Sequence, residues 1–324
     1  METILEVSNL VKHFALGRKN KKVRSVDGIS FSIGKKETFG LAGESGCGKT
    51  TTARIIMGLT EPTDGAIHFL GKNISRLNGA ESRDFRRQIQ MVFQDPYGSL
   101  NPRKSIGSIL ALPFKIFKEA RKEDIKAKVV KILEEVDLRP PDIFWSRYPH
   151  ELSGVQRQRI AIARSIALHP QLIVADEPVA ALDMSIRAGI LNLMRTLKEK
   201  NGISFLFISH DLSVLRNMCD RIAIMYLGKF VEVAKAKDIF VSPKHPYTKA
   251  LLSATLVPDP KVESSRQRVI LSGDVASAID LPRGCRFNTR CPYTRAKCFD
   301  SEPELTHTDD DHLVSCHFWE RLCS

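Results

Sequence analysis

The sequence predicts an α/β protein with a mainly parallel sheet, followed by a small cysteine-containing extension. Three observations support this prediction. Short β-rich runs alternate with longer helical patterns over roughly the first 255 residues, as in α/β domains. Five of the runs are continuously apolar, which is typical of strands covered on both faces. A glycine-rich segment follows the first of these five runs and precedes a helical pattern.

The strands are predicted from apolar runs of two kinds. The continuous runs are TFGLAG (38–43), IQMVFQ (89–94), QLIVAD (171–176), ISFLFIS (203–209) and RIAIMYLG (221–228). Three further runs are shorter or alternate with polar residues: ILEV (4–7), VDGISFSI (26–33) and GAIHFL (65–70). The second kind predicts a smaller antiparallel sheet beside the main one.

Helical patterns replace the strands between residues 100 and 170. Apolar residues recur at helical spacing in 105–117, in 122–138 and from Ser153 to His169. A helical subdomain is therefore predicted at about 100–165, inside a larger α/β domain of residues 1–255. After a last short helix within 242–254 the composition changes, which predicts a separate extension over 256–324.

Composition limits the classes of protein that fit. The 324 residues are 43% hydrophobic and 27% charged, enough apolar material for a substantial core. No stretch approaches the ~20 consecutive apolar residues of a membrane-spanning helix, and the first ten residues do not resemble a signal peptide. The net charge of +12, which lies in the first 260 residues, suits a polyanionic partner such as a nucleotide, a nucleic acid or anionic lipid.

A phosphate-binding loop is predicted at residues 43–50, which read GESGCGKT and match the pattern G-x-x-x-x-G-K-[ST]. An apolar strand precedes the loop and a helix follows it, so successive N–H groups and the helix N-terminus can surround phosphates. Lys49 would contribute a charge to the phosphates, and the Thr50 hydroxyl would bind Mg²⁺. The predicted nucleotide-binding residues here are Gly43, Glu44, Ser45, Gly46, Cys47, Gly48, Lys49, Thr50 and Thr51.

Cys47 stands at a position that the loop pattern leaves free. It is interpreted as a filler residue. The alternative is a redox-sensitive thiol, because a helix N-terminus can lower the pKa of a cysteine.

Two carboxylates end the predicted strand in LIVADEP, residues 172–178. Open α/β sheets bind ligands at the carboxyl ends of their strands. Asp176 is therefore predicted to hold Mg²⁺, and Glu177 to orient or deprotonate the water that attacks the terminal phosphate.

The segment ELSGVQRQRIAIARSIALHPQLIVADEPVAALD, residues 151–183, resembles the ATP-binding cassette (ABC) ATPases, and the resemblance covers nearly the whole chain. The resemblance implies the ABC-type P-loop NTPase fold, ATP and Mg²⁺ as ligands, and ATP hydrolysis. It also implies a role for each residue that matches a family motif. These residues are Phe14 stacking on adenine, Gln94 of the Q-loop contacting Mg²⁺ and the attacking water, Ser153, Gly154 and Gln156 of the signature, Asp183 of the D-loop, and the switch histidine His210.

Members of this family work in pairs, so the resemblance implies that the signature of this chain completes the ATP site of a second cassette. Val155 stands where the family usually has the second glycine of LSGGQ, and its Cβ restricts the backbone. The composite site that uses this signature is therefore predicted to be the weaker one. A different, paralogous chain is the predicted second ATPase subunit, with a homodimer as the alternative.

The segments SPKHPYTKALLSA (242–254) and SGDVASAIDLPRGC (272–285) resemble the extension of dipeptide, oligopeptide and nickel importer ATPases. The resemblance implies two transmembrane permease subunits, an extracytoplasmic peptide-binding protein as indirect partner, and a peripheral location on the cytoplasmic face of the membrane. Peptide is predicted over nickel. The rival interpretation is a non-transport ABC ATPase acting on nucleic acid or ribosomes. A single cassette with a short helical insertion counts against it, so no nucleic-acid partner is expected.

Four cysteines in the extension suggest a metal or cluster site: Cys285, Cys291, Cys298 and Cys316. The resemblance implies a [4Fe-4S] cluster at these positions. Zinc, with His307, His312 or His317 as possible ligands, and free or disulfide-bonded thiols stay open as alternatives. Cys323 is left over.

Overall fold

The computed structural model describes residues 2–17, 21–180, 182–254, 276–308 and 311–322. The chain divides into two compact units. The first unit consists of residues 1–4, 33–37 and 69–206, and the second of residues 5–32, 38–68 and 207–324. No helix in the described ranges is both long enough and apolar enough to cross a membrane.

The predicted strands are all present, and the early ones are longer than predicted. The strands are β1 Thr3–Leu16, β2 Lys21–Gly34, β3 Thr38–Ala42, β4 Asp64–Phe69, β5 Lys72–Asn73, β6 Ile89–Val92, β7 Leu172–Asp176, β8 Ser204–Ile208, β9 Arg221–Tyr226, β10 Lys229–Lys235, β11 Thr306–His307 and β12 Leu313–Val314. Every residue of β3, β7 and β8 is buried, as the continuous apolar runs predict.

The helices follow the predicted alternation with strands. They are α1 Lys49–Ile56, α2 Gly79–Gln88, α3 Pro96–Ser99, α4 Ile106–Phe117, α5 Ile125–Glu135, α6 Pro141–Ser146, α7 Gly154–Ile166, α8 Met184–Asn201, α9 Leu212–Met218, α10 Ala236–Val241, α11 Pro246–Ala254, α12 Ala296–Asp300 and α13 Trp319–Leu322.

The second unit contains strands in the order β11-β12-β10-β9-β3, and separately the order β2-β1-β4. β3 runs parallel to β9, with Phe39 opposite Arg221 and Ala42 opposite Ile224. β10 is antiparallel to both β9 and β12, so the strands of the extension continue a sheet of this unit. The parallel strand β3 leads directly into the phosphate loop, which fixes the base of that loop in a buried sheet.

The first unit contains the parallel pair β6 and β7, with Ile89 opposite Leu172 and Val92 opposite Ala175. The carboxyl ends of parallel strands share one edge of the sheet, which places the segments after Val92 and Asp176 side by side. Within this unit α4 packs on α5, α6 and α7, and residues 93–171 contain no strand.

Candidate active site

The phosphate loop follows β3 and ends in α1, as predicted. Gly43 and Gly48 have φ angles of 147° and 114°, which residues with a side chain rarely adopt. A Cβ on Gly43 would lie 2.2 Å from the carbonyl oxygen of Met225, and a Cβ on Gly48 would lie 2.1 Å from that of Ser25. These two positions therefore require glycine both for conformation and for space. No side-chain hydrogen bond caps the N-terminus of α1, and the positive end of a helix favours an anion.

Lys49 is buried and folds back over the loop. Its Nζ donates hydrogen bonds to the carbonyl oxygens of Gly43 at 2.7 Å and Glu44 at 2.9 Å. The ammonium group is thus held at the mouth of the ring of N–H groups, where a phosphate oxygen can replace the carbonyl oxygens. Thr50 is half-buried, and the hydroxyl of Thr51 accepts a hydrogen bond from Ser25 Oγ at 2.8 Å.

Cys47 is 4% exposed, and its sulfur lies 3.7 Å from Lys49 Nζ. Burial raises the pKa of this thiol above its ordinary value although the Lys49 charge opposes the shift. The pKa lowering that a helix N-terminus could produce is therefore not found. The buried, protonated thiol supports the interpretation of Cys47 as a filler residue rather than a redox-sensitive one.

The two strand-end carboxylates differ in environment. Asp176 is the last residue of β7 and is 3% exposed, whereas Glu177 is half-buried with a left-handed φ of 47°. That conformation is uncommon for a residue with a side chain and is enriched at functional sites. Gln94 lies at the same sheet edge, and its Nε2 donates a hydrogen bond to Glu177 Oε2 at 3.3 Å. The structure thus brings together the predicted general base and the predicted Q-loop residue within the first unit.

The signature segment forms the N-terminus of α7, as predicted. Ser153 is the N-cap: its Oγ accepts a hydrogen bond from the Gln156 N–H at 3.3 Å, and its own N–H donates to Gln156 Oε1 at 3.0 Å. This capping box satisfies the N–H groups of Ser153 and Gln156. Gly154 lies in open space, since an added Cβ would meet nothing within 4 Å, and Val155 is half-buried.

The other predicted site residues are exposed and positioned by the ends of elements. Asp183 is the N-cap residue of α8, and His210 follows β8. Phe14 lies near the end of β1 with 42% of its surface exposed, and Lys12 Nζ lies 5.1 Å from the centre of its ring. Phe14 and His210 belong to the same unit as the phosphate loop, whereas Asp183 belongs to the unit that contains Gln94, Asp176 and Glu177.

The four cysteines of the extension line one small cavity, together with His317, Phe287 and other side chains. Burial raises the pKa of Cys285 to about 12 and that of Cys316 to about 11, so these thiols are protonated in the absence of a cation. None of the six described cysteines forms a disulfide, and within the described ranges no three His, Cys, Asp or Glu side chains are arranged to hold a metal ion. Cys323 lies outside the described residues.

Of the three histidines predicted as alternative zinc ligands, only one lines the cysteine cavity among the described residues. His317 lines the cysteine cavity, while His307 lies exposed on β11. His312 Nε2 is hydrogen-bonded to the carboxylate of the buried Glu232 at 2.7 Å, and His312 does not line the cysteine cavity.

Sequence analysis did not identify two residues that contact the phosphate loop. Tyr247 and Arg290, both from the C-terminal part of the chain, form hydrogen bonds with Glu44. Tyr247 lies in the SPKHPYT segment, whose resemblance to the extension of importer ATPases indicates a family but no role for the tyrosine. The sequence carries no signal for Arg290, because an arginine among cysteines has no distinctive spacing.

Family models match two parts of the chain. The model described as "ABC transporter" matches residues 26–180, and the model described as "Oligopeptide/dipeptide transporter, C-terminal region" matches residues 231–298. The first match contains the phosphate loop and the Asp176–Glu177 pair. The second match contains three of the four cysteines of the cavity.

Whole-chain relatives agree with both matches. The putative oligopeptide transport ATP-binding protein YkfD of Bacillus subtilis is 46% identical, with 98% of this chain and 95% of the relative aligned. The oligopeptide transport ATP-binding protein AppF of the same organism is 46% identical over 98% of both chains. The dipeptide transport ATP-binding protein DppF of Haemophilus influenzae is 44% identical over 97% of this chain and 96% of its own.

A solved structure supports the fold. The ATP-binding cassette MJ0796, in a dimeric post-hydrolysis state bound to ADP and Pi, matches with a TM-score of 0.65 and 28% identity. The aligned region covers 72% of this chain and 99% of the MJ0796 chain. Fold and site chemistry together define an α/β ABC-type P-loop ATPase that binds and hydrolyses ATP. Within that class, the chain belongs to the family of oligopeptide/dipeptide ABC transporter ATP-binding proteins.

Proposed function

We propose that the chain is the ATP-hydrolysing subunit that powers peptide import through an ABC transporter at the cytoplasmic face of the membrane. The observation that carries this proposal is full-length similarity, at 44–46% identity, to relatives named for oligopeptide and dipeptide transport. The match of residues 231–298 to the oligopeptide/dipeptide C-terminal region adds support, because that region lies outside the cassette shared by all ABC ATPases. Peptide is therefore favoured over nickel and over nucleic acid or ribosomes.

Within this proposal, the phosphate loop binds the β- and γ-phosphates of ATP. The N–H groups of the loop and the uncapped N-terminus of α1 supply a positive field, and Lys49 exchanges its loop carbonyls for phosphate oxygens. Phe14, exposed on β1, stacks on the adenine. Thr50 of the second unit, and Asp176 and Gln94 of the first, carry oxygen donors of the kind that Mg²⁺ prefers, and each is proposed as a Mg²⁺ ligand. Mg²⁺ would neutralise charge on the phosphates.

Hydrolysis depends on Glu177. Its carboxylate orients the attacking water and accepts a proton from it, and His210 binds the γ-phosphate. Gln94 is hydrogen-bonded to Glu177 in this structure, so movement of the segment after β6 would change the position of the general base. That segment is the proposed route by which the transporter controls hydrolysis.

A second cassette completes the ATP site through Ser153, Gly154, Gln156 and Asp183 of each chain. The dimeric state of the MJ0796 cassette supports this arrangement. Val155 favours a paralogous partner, because a homodimer would carry the altered signature at both sites.

The permease is proposed to dock on the first unit. A groove there is lined by the exposed side chains of Leu112 and Ile116 and by the backbone segment around Ser99. The Arg164 guanidinium donates a hydrogen bond to the Ser99 carbonyl at 2.6 Å, which connects α7 to the segment after Gln94. A permease element in this groove would therefore contact the segment that holds Gln94.

The cysteine cavity is proposed to hold a [4Fe-4S] cluster with a structural role. Four thiols that line one cavity are the donor type of such clusters, but the described side chains are not arranged to hold a metal ion, so they would have to draw together around a cluster. The raised pKa values of Cys285 and Cys316 mean that a bound cation would be needed to stabilise thiolates there. Iron, sulfide and visible absorbance in protein purified without oxygen test this; zinc, or neither metal, would contradict it.

The proposed function is tested by reconstituting the chain with permease subunits and a second ATPase subunit of a peptide importer, in liposomes containing ATP. Peptide-loaded binding protein should stimulate ATP hydrolysis and peptide uptake together. Replacing Glu177→Gln should lower hydrolysis roughly 100-fold or more while MgATP binding is retained. Stimulation by nucleic acid or ribosomes in place of peptide, or stimulation by nickel alone, would contradict the proposal.

A further inference from the structure

The extension reaches the phosphate loop through one ion pair. Arg290 Nη1 lies 2.9 Å from Glu44 Oε2, and Arg290 Nη2 lies 3.1 Å from Glu44 Oε1, so both nitrogens donate to one carboxylate. Such two-point pairing fixes the orientation of both side chains. The Arg290 side chain is 9% exposed and that of Glu44 is 27% exposed, so solvent screens the pair only partly. Both residues lie in the second unit.

Contacts at three positions hold Glu44. Besides the Arg290 pair, its backbone N–H donates to the Tyr247 hydroxyl oxygen at 3.0 Å, and its carbonyl oxygen accepts from Lys49 Nζ at 2.9 Å and from the Cys47 N–H at 3.3 Å. The second residue of the phosphate loop is thus restrained at its N–H, its carbonyl and its side chain. Two of these restraints come from outside the loop.

Arg290 and Tyr247 are themselves rigidly placed. The Arg290 guanidinium lies 6.0 Å from the ring centre of Tyr226, whose ring lies 4.7 Å from that of Tyr247. The Phe287 ring contacts both tyrosine rings, at 5.4 Å from each. The N–H groups of Arg290 and Cys291 both donate to the Phe287 carbonyl, at 3.1 and 2.9 Å. Phe287 and Cys291, at the two ends of the turn that carries Arg290, both line the cysteine cavity.

The charge of Glu44 needs a partner for electrostatic reasons. A carboxylate in the loop that receives a triphosphate would repel the ligand, and an unpaired one would be free to turn toward it. Arg290 neutralises the carboxylate and holds it to one side. We propose that Arg290 is a positioning residue for ATP binding. Through Arg290, the cysteine-lined extension would help to set the ATP affinity of the phosphate loop. This inference rests on the proposed nucleotide site, but not on any metal in the cavity.

The test measures MgATP affinity of the full chain and its KM and kcat in the complete transporter. Arg290→Gln should raise both Kd and KM for ATP roughly tenfold, with a much smaller change in kcat, because the change acts on binding. Arg290→Lys keeps the charge but loses the two-point geometry, so its Kd and KM for ATP should lie between those of the unchanged chain and those of Arg290→Gln. In the double variant Glu44→Gln/Arg290→Gln, affinity should recover most of the loss, because the repelling charge is gone. Arg283→Gln is the matched control: an exposed arginine of the same segment.

The outcomes separate this inference from the proposed function. If Lys49→Ala fails to weaken ATP binding, the proposed nucleotide site is wrong. If Lys49→Ala weakens binding while Arg290→Gln behaves like Arg283→Gln, only the role of Arg290 is wrong. A purely structural role would lower the thermal midpoint of Arg290→Gln and reduce kcat through loss of active protein, leave KM unchanged, and show no rescue by Glu44→Gln. That result would overturn the inference.

Discussion

The phosphate loop and the signature segment are both glycine-containing helix N-termini, yet they are built in opposite ways. In the phosphate loop, α1 begins at Gly48 without a side-chain cap, and Tyr247 and Arg290 restrain the loop from outside. In the signature, α7 begins at Ser153 with a closed capping box. No side-chain cap hydrogen bond forms at the first helix, whereas at the second the Gln156 N–H is hydrogen-bonded to Ser153 Oγ. A nucleotide oxygen that approaches the Gln156 N–H must therefore compete with Ser153.

The largest effect that this comparison predicts is on the glycines. Gly48→Ala would force a Cβ to within 2.1 Å of a carbonyl oxygen at a φ of 114°, so we expect loss of ATP binding, with part of the protein failing to fold. Gly154→Ala meets nothing within 4 Å at a helical position, so the isolated chain should keep its stability or gain up to about 1 kcal/mol, because alanine has the higher helix propensity. Equilibrium binding of MgATP and thermal unfolding measure both. Equal effects at the two positions would remove the contrast.

The sequence predicted the phosphate loop better than its surroundings for a physical reason. The loop needs Gly43, Gly48 and Lys49 at fixed spacing, because backbone conformation and charge are local properties that a pattern can record. The strands of the main sheet were also predicted, because continuous apolar runs mark strands buried on both faces, whereas their order in the sheet was not. Arg290 could not be predicted, since it lies 246 residues from Glu44 and no local pattern encodes that distance.

The signature was predicted by resemblance, but its capping box was not described in advance. Ser153 and Gln156 stand three residues apart, which is the spacing of a capping box and a signal that sequence reasoning had available. The pKa of the Cys47 thiol, by contrast, could not be predicted from the sequence. A helix N-terminus was expected to be able to lower its pKa, but burial dominates and raises it. Burial depends on the tertiary fold and cannot be taken from the position in the loop.

The second prediction concerns Cys47. Because its thiol is buried and its pKa is raised, alkylation by iodoacetamide at pH 8 should be at least about tenfold slower in the folded chain than after denaturation. Peptide mass spectrometry after timed quenching resolves Cys47 from the other cysteines. Since less thiolate is present below the raised pKa, the rate should continue to rise with pH above 9. Rapid alkylation at pH 7 would show a lowered pKa and would restore the redox interpretation.

The third prediction concerns Val155 in the signature segment. In the assembled transporter, Val155→Gly should raise ATP hydrolysis a few-fold, because it restores backbone freedom where the γ-phosphate of the partner's ATP approaches. Val155→Ala is the matched variant: it keeps the Cβ and removes the two methyl groups. Recovery by Ala as well as by Gly would assign the effect to side-chain bulk, whereas recovery by Gly alone would assign it to the backbone. An unchanged rate in both would count against a weakened composite site.

The smallest effect concerns the capping box itself. Ser153→Ala removes the acceptor for the Gln156 N–H, which should cost about 1 kcal/mol of unfolding free energy, within the ordinary range for an N-cap serine. Ser105→Ala is the control, because Ser105 caps α4 by accepting from the Ser108 N–H at 3.4 Å in the same unit. Denaturant unfolding should give similar losses for the two. If Ser153→Ala were instead neutral while Ser105→Ala cost stability, the capping box would already be open in solution. The signature N–H groups would then be as available to an anion as those of α1, and the contrast between the two helix N-termini would be lost.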